Sequence, residues 1–465
     1  MLTYQDYLES TNIVDFINRA IGAHKSTELY RTAVAADLYD RQRNVTITAL
    51  ARAIRGKSAS DGEAHEADNR LCSNFFKRLN RQRVAYLLGN GVSFAHKEKR
   101  LNENGVPVNV DATKEMLGQR FDGAVLRWAY KALIHGECYA FWGEDGLTIF
   151  PVTEFVPLRD EEDGELRVGI RFWRLAPDKP LRVELYEADG MTVFASRPGT
   201  TGNDLVVKAE KRPYIEITLS TEAEGDIAAE GDNYPALPVI PMYGGEDRQS
   251  TLIGMRPTID AIDIIASGYA NDEQDCASIY WLIQNCGAMT DKDMQAFLRD
   301  IRERHIAQVD VTSFSGDPRG ALSPYTAEAP YQGREAVLTY LQKRLYEDFG
   351  ALDVHSIAAS STNDHIDAAY QPLDDEADLL EAQVIDAIQR GLALYGIEDT
   401  PTFKRNRVSN VKEAIEAVVL EAPLLDRETA LELLPNLTVD QREAALARLD
   451  AENAARITID GGGGA

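Results

Sequence analysis

The tripeptide Gly56-Lys57-Ser58 supplies the last three residues of a phosphate-binding loop, in which backbone amides and a lysine cradle phosphate oxygens. The position of the opening glycine holds Ala51. The preceding residues read as helix rather than strand, and the following ones as a loop, so the helix N-terminus that would hold phosphate is missing. Asp364, His365 and Asp367, with Asp353 and His355 close in sequence, carry oxygen and imidazole ligands suited to a divalent metal. Asp291 with Asp293, and Asp374 with Asp375 and Glu376, read as paired carboxylates for metal-dependent phosphoryl transfer. All three acidic groups also fall where helices are expected to begin, and a helix N-terminus favours negative charge without any catalysis. His24, His65, His96, His135, His305, His355 and His365 form no HExxH pair, and no GxSxG elbow is present. A Ser-His-Asp group assembled in space stays open. The expectation is a protein without catalytic residues, metal or cofactor.

The elements that must position any site come from a chain of 465 residues, more than one core usually organises. A hydrophobic share of 44% is enough to build cores, while 75 acids against 49 bases leave a net charge of −26. A sequence-reading DNA protein carries a basic face that neutralises phosphates. This chain is expected not to grip DNA; its acidity suits either an ordinary solvated surface or one that lets DNA pass without adhering. Cys72, Cys138, Cys276 and Cys286 follow no metal-knuckle spacing and fit a reduced, cytoplasmic site of assembly. No secretory signal opens the chain, and no stretch nears the roughly 18 apolar residues of a membrane span.

Hydrophobic spacing predicts a helix from Asn69 to Gly89 and a second over Asp111–His135. The period then becomes alternating. Short runs at 138–142, 147–152, 166–173, 181–186, 192–196, 205–208 and 214–219 predict antiparallel strands, with an acidic loop at 221–233. After Gly254 an amphipathic helix runs toward Tyr280, with Ile259, Ile262, Ala266 and Tyr269 on one face and Asp260, Asp263, Ser267 and Asn271 on another. A mixed unit follows: a helix at 291–303, a strand at 307–314, and a turn-rich SGDPRGALSP. Another helix covers 334–349. The longest helical signal steps through Leu373, Ala377, Leu380, Val384 and Ile388, a seam that wants a partner helix. Shorter helices are expected at 411–419, 426–434 and 439–453, and the fold class is α+β.

At 80–94 the chain reads NRQRVAYLLGNGVSF, with HGECYAFWGEDG at 135–146 and FPVTEFVPLRD at 150–160. LPVIPMYGGEDRQSTLIGMRPTIDAID occupies 237–263, and FKRNRVSNVKEAIEAVV at 403–419 is followed by LLDRETALELLP at 424–435. In type and order these segments resemble the portal proteins of long-tailed bacteriophages over most of 70–435; residues 1–68 lie outside the resemblance. The resemblance implies a wing at 1–252, a first stem helix at 253–279, a clip at 280–332 and a second stem helix at 333–349. A tunnel loop at 350–363, a long tunnel helix at 364–396, a helical crown at 397–456 and a flexible tail at 457–465 complete it. The chain departs from the family where a Ser-Gly-x-Ala-like helix start is common: it has Asn363-Asp364-His365-Ile366.

The resemblance further implies about twelve copies closed into a ring at a capsid vertex, part of a virion assembled in the host cytoplasm. Double-stranded DNA would pass through it non-specifically. The terminase large subunit would dock on the clip first and a head-completion adaptor later, with the major capsid and scaffolding proteins around the ring and no membrane involved. Ser356, Ser360, Ser361, Thr362 and Asn363 would form the loop that meets DNA, since small hydroxyl and amide groups touch a backbone without strong ion pairs. Asp260 and Asp263 would face the channel from the first stem helix and repel phosphate, or else simply face solvent. Another virion structural protein, such as a minor capsid or tail component, and a packaging enzyme stay open as alternatives.

Overall fold

The computed structural model describes residues 2–49, 68–101, 107–143, 146–197, 204–218, 229–276, 280–284, 292, 321–325, 331–353 and 363–407, with a few more between 418 and 448. The chain divides into two compact units. One holds Met1–Asp40, Phe75–Met255 and Tyr346–Ala465; the other holds Arg41–Asn74 and Arg256–Leu345.

The larger unit begins with helices α1 (Tyr4–Leu8), α2 (Ile13–Lys25) and α3 (Glu28–Asp40). Thr3 and Asp6 cap α1 reciprocally, and the Asn12 side chain accepts from the first amides of α2. Phe16, Ile17, Ala20 and Ile21 of α2 recur at helical spacing and are buried on a five-stranded sheet. That sheet is an antiparallel meander in the order Leu205–Arg212, Gly190–Ser196, Arg182–Glu187, Leu166–Trp173, Phe155–Arg159. Its edge strand Leu205–Arg212 exposes Lys208, Glu210, Lys211 and Arg212, charges that discourage pairing with a further strand.

The second core is built around α6. Helix α4 (Phe75–Leu88), the short α5 (Ala112–Leu117) and α6 (Phe121–His135) precede a three-stranded antiparallel sheet in the order Val239–Tyr243, Glu137–Gly143, Gly146–Pro151. The single helix expected over 111–135 is two, because Gly118 takes φ of +76° and the chain restarts at Phe121. Trp128 of α6 is fully buried, and its indole N–H donates to the Cys138 carbonyl at 3.0 Å. Gly136 turns the chain from α6 into the sheet at φ +93°, where a Cβ would lie 2.5 Å from the Arg248 carbonyl oxygen.

The apolar seam of the longest helix finds its partners inside the same chain. Helices α7 (Leu252–Cys276), α8 (Tyr331–Phe349) and α9 (Asn363–Ala393) follow in order. Leu380, Val384 and Ile388 of α9 pack with Val84 and Leu87 of α4 and Trp128 of α6, while Leu373 and Ala377 pack with Tyr86 and Tyr370. Pro257 lies inside α7 and Pro372 inside α9, each removing one N–H from its helix. Val92–Phe94 pairs antiparallel with Pro401–Phe403, a pairing across more than 300 residues that no local pattern announces.

In the smaller unit, α7 ends at Cys276 and Tyr280–Gln284 forms a strand paired with Ala321–Tyr325. The run Tyr-Trp-Leu-Ile is short and continuously apolar, a pattern that suits either element, so the helix expected to reach Tyr280 stops early. Part of the acidic 221–233 stretch is likewise ordered: Ala229–Asp232 pairs with Ile215–Thr218. Of the helix expected at 291–303, only Lys292 is among the described residues; the strand at 307–314 lies outside them. No described helix is long and apolar enough to cross a membrane.

His24 gives the larger unit a pH dependence. Its ring is buried, Nε2–H donates to the Val152 carbonyl at 2.8 Å, and Nδ1 has no partner among the described residues. Burial lowers its pKa, because a proton on Nδ1 would find no acceptor. The unfolded chain takes up that proton near the ordinary value of about 6.5 and the folded chain only below it. Stability present at neutral pH is therefore lost as pH falls through this window. His135, fully buried and also lowered by burial, acts in the same direction. In His24→Gln, whose amide keeps the donor, the fall in thermal midpoint between pH 7.5 and 5.5 is expected to be shallower; an unchanged slope counts against this account.

Candidate functional site

Asp260, Asp263, Ser267 and Asn271 lie three and four residues apart and share one face of α7. That face holds two pieces of the same unit, the start of a short helical turn at 44–46 and the irregular stretch 69–73. The Asp263 carboxylate accepts from Asn44 Nδ2 at 2.8 Å and from the Ser73 amide at 2.9 Å. One turn on, Ser267 Oγ accepts from the Leu71 amide at 3.0 Å, and Asn271 Oδ1 accepts from the Asn69 amide at 2.6 Å. Asp260 accepts from the Thr46 hydroxyl at 2.7 Å and lies 3.6 Å from Arg256. The polar stripe is a rail for residues 44–46, held through the Asn44 and Thr46 side chains, and for 69–73, whose backbone amides would otherwise be left without partners.

The expectation that Asp263 faces a channel is corrected by this geometry: the residue is 2% exposed and its carboxylate is occupied within its own unit. Burial raises its pKa above the usual carboxylate range, against the two donors that hold it down. Asp260 keeps partial exposure, with 15% of its side chain accessible, and is engaged by Thr46. A polar helix face read from spacing does not distinguish solvent from a neighbouring stretch of backbone.

Asp374, Asp375 and Glu376 sit eleven or more residues into α9, not at its start. Asp374 is instead the hub of a basic clamp. The Tyr86 hydroxyl donates to it at 2.6 Å, Arg405 Nη1 at 3.1 Å, and Arg407 Nη2 also reaches it. Arg405 extends to Glu381 at 2.6 Å and to Asp378, while Arg407 donates through Nε to Tyr86 at 2.7 Å and pairs with Asp367 at 3.0 Å. Burial alone would lower the Arg405 pKa, but Glu381 and Asp378 outweigh it and hold the guanidinium above its usual value. Tyr86 stacks on Tyr370 at 5.5 Å, closing the cluster on its apolar side.

A second clamp lies beside it. Arg83 pairs with Glu376 at 2.9 Å, donates to the Phe349 carbonyl at 2.5 Å and covers the Phe349 ring at 4.1 Å. Burial lowers its pKa while Glu376 opposes the shift. The carboxylates that read as metal ligands thus hold three arginines, and the arrangement joins α4, α9 and residues 404–407 of the larger unit. Among the described residues, no three His, Cys, Asp or Glu side chains gather to hold a metal ion.

The remaining residues named from sequence stay apart. Asn363 is the first residue of α9, and Asp364, His365 and Asp367 fall in its first turns, where the helix dipole favours acids. Ser356, Ser360, Ser361 and Thr362 lie outside the described residues, as do Gly56-Lys57-Ser58, Asp291, Asp293 and His355. Arg83, Tyr86, Arg405 and Arg407 were not singled out by motif or spacing. Arg83 and Tyr86 fall inside the 80–94 segment and Arg405 and Arg407 in the basic FKRNR run at 403–407, whose partners stand about thirty residues earlier.

Comparison with known proteins bears on the whole chain. The family described as "Phage portal protein, SPP1 Gp6-like" matches residues 19–457, including much of the N-terminal region outside the motif resemblance. The portal protein of Bacillus phage SPP1 is 23% identical over 420 residues, covering 83% of this chain and 76% of its own. The portal protein of Clostridium phage phiCD119 is 21% identical over 386 residues, covering 78% and 80%. A solved chain from the virion of a native gene transfer agent particle shows a TM-score of 0.42 at 9% identity, over 86% of this chain and 93% of that one. Another, from the neck of such a particle, shows 0.40 at 11% identity, over 77% and 88%. With its α+β architecture and a family match running through nearly all of its length, the chain belongs to the SPP1 Gp6-like family of phage portal proteins.

Proposed function

We propose that this portal protein is one wedge of a ring at the capsid vertex, forming the channel through which double-stranded DNA is packaged and ejected. The family match over residues 19–457 carries the reading. Exposed apolar side chains support it: Ile264 on α7, with Val337 and Tyr340 on α8, are at least 39% accessible in the single subunit. Such residues are the kind that neighbouring copies cover. A closed ring needs head-to-tail contacts, commonly on the order of 2,000 Å² or more for obligate assemblies. A net charge of −26 suits a wall that DNA passes without adhering.

In this reading residues 253–279 and 333–349 are the stem and 280–332 the clip. The clip receives the terminase large subunit during packaging and a head-completion adaptor afterwards. The terminase supplies the energy for movement, and this chain performs no catalysis. Assembly with scaffolding and major capsid proteins takes place in the host cytoplasm. Negative-stain images of the purified protein are expected to show rings of about twelve copies with a central hole; compact monomers or filaments would sink the reading.

Ser360 and Ser361, with Ser356, Thr362 and Asn363, are proposed to meet the DNA. Replacing Ser360 and Ser361 by tryptophan is expected to leave rings intact and to reduce packaged DNA severalfold, measured as nuclease-protected DNA per particle. Normal packaging by that variant means the loop lies elsewhere.

A further inference from the structure

An open groove of about 490 Å³ lies in the larger unit between α4, α6 and the strand Gly146–Pro151. Val84, Leu126, Ile149 and Pro151 give it an apolar lining, with Arg81 and Arg127 beside them. Lys131, also on its wall, is neutralised by Asp37 at 2.6 Å. Among the described residues Arg127 donates to the Gly123 carbonyl of its own helix and Arg81 to the Tyr130 hydroxyl, and neither arginine forms an ion pair with a carboxylate. The groove is thus a cationic, apolar surface on a chain whose net charge is −26.

The complementary surface is on α9. Asp375, Leu379, Ala382 and Asp386 recur at four, three and four residues and form one exposed stripe. Leu379 is 54% accessible, a large apolar side chain standing between acids. Asp375 accepts only from Gln371 of the same helix among the described residues, while Asp386 already pairs with Arg390 at 3.0 Å, so Asp375 is the acid left for a partner. At 3.6 residues per turn, Arg81 and Ala85 face one side of α4, while Arg83 and Tyr86, which hold α9, face nearly the opposite side. One subunit therefore cannot fill its own groove with its own α9 stripe.

We propose that the groove receives the Leu379 stripe of α9 from a second copy of this chain, with Arg81 and Arg127 against its acids. The contact is head-to-tail, the type a ring requires, and the inference rests on the ring reading above. Leu379 fills the apolar floor, and the arginines fix which face of α9 enters.

A charge exchange tests it. The groove variant Arg81→Glu with Arg127→Glu pairs an acidic groove with the native acidic stripe. The stripe variant Asp375→Lys with Leu379→Lys pairs a basic stripe with the native cationic groove. Each alone is expected to give single subunits by light scattering at concentrations where the wild type forms rings. Mixed in equal amounts they are complementary at both junctions, and rings of alternating subunits are expected to return. Assembly of either variant as the wild type does means the groove takes some other occupant, and overturns the proposal. So does a mixture that stays unassembled while both variants melt at the wild-type temperature. Should either double substitution prevent folding, Arg127→Ala and Leu379→Ala each change one side chain that is exposed in the single subunit. Each is expected to raise the concentration needed for rings by about tenfold, and an unchanged threshold overturns the proposal. A wild type that forms no rings sinks the ring reading itself, and this contact with it.

Discussion

Gly391→Ala is expected to destabilise the larger unit by about 3 kcal/mol, the upper part of the range for inserting a methyl group into a packed core. Two effects compete at this position. In an open helix the change would help, since alanine is a better helix former than glycine by about 1 kcal/mol. Here a Cβ would stand 2.2 Å from Cε2 and Cζ2 of the Trp142 indole and 2.5 Å from Cη2. Trp142 is 2% exposed and belongs to the core shared by α6, α9 and the three-stranded sheet, so neither side yields without opening packing elsewhere. The steric cost wins. Chemical denaturation followed by circular dichroism measures it. Trp142→Phe removes the atoms that collide, so the double variant is expected to recover part of the loss relative to the two single changes added together. A Gly391→Ala protein as stable as the wild type would show that α9 does not approach the sheet this closely.

Asp374→Ala is expected to cost about 2 to 4 kcal/mol, near or just below the range for stripping one partner from a buried ion pair. The loss is moderated because Arg405 and Arg407 keep 19% and 39% of their side chains accessible and can recruit water. What is lost is a shared acceptor, since Tyr86, Arg405 and Arg407 all converge on this one carboxylate. Amide hydrogen exchange should quicken in α9 and at residues 401–407 together. Asp374→Asn is expected to fall between the alanine variant and the wild type, keeping an acceptor oxygen but not the charge. Magnesium distinguishes this account from a catalytic one. If added magnesium stabilised the wild type and lost that effect in Asp374→Ala, the carboxylate would be a metal ligand rather than an arginine clamp.

Those two positions also separate what spacing in the sequence reveals from what only the fold reveals. The α9 seam of Leu373, Ala377, Leu380, Val384 and Ile388 was visible as spacing, and every one of these residues is buried, because a helix with one apolar stripe must cover it. The strands from Leu166 to Ser196 were visible for the matching reason, alternation bounded by turn residues. Gly391 gave no signal, since a lone glycine in a helical pattern does not say which ring lies against it. The acids at 374–376 read from sequence as a helix start; only the fold shows that Arg83, Arg405 and Arg407 answer two of them. Val92–Phe94 against Pro401–Phe403 was missed because three residues are too few to show a period. The stripe of Asp260, Asp263, Ser267 and Asn271 was found correctly and its neighbour was not, as periodicity describes a face and is silent on what lies against it.

Pro372 gives α9, one continuous helix, a point of lower bending resistance. The missing N–H leaves the carbonyl four residues earlier without its helical donor, so bending there breaks one backbone hydrogen bond fewer than bending elsewhere. Beyond the proline, from Asp374 onward, the helix is bolted down by the arginines and by Leu380, Val384 and Ile388. Before it, Asn363–Gln371 is held mainly by Ile366, Tyr370 and the Asp367–Arg407 pair. A sideways push delivered near Asn363 would therefore tilt a nine-residue lever about a fixed pivot and leave the sheet behind it undisturbed.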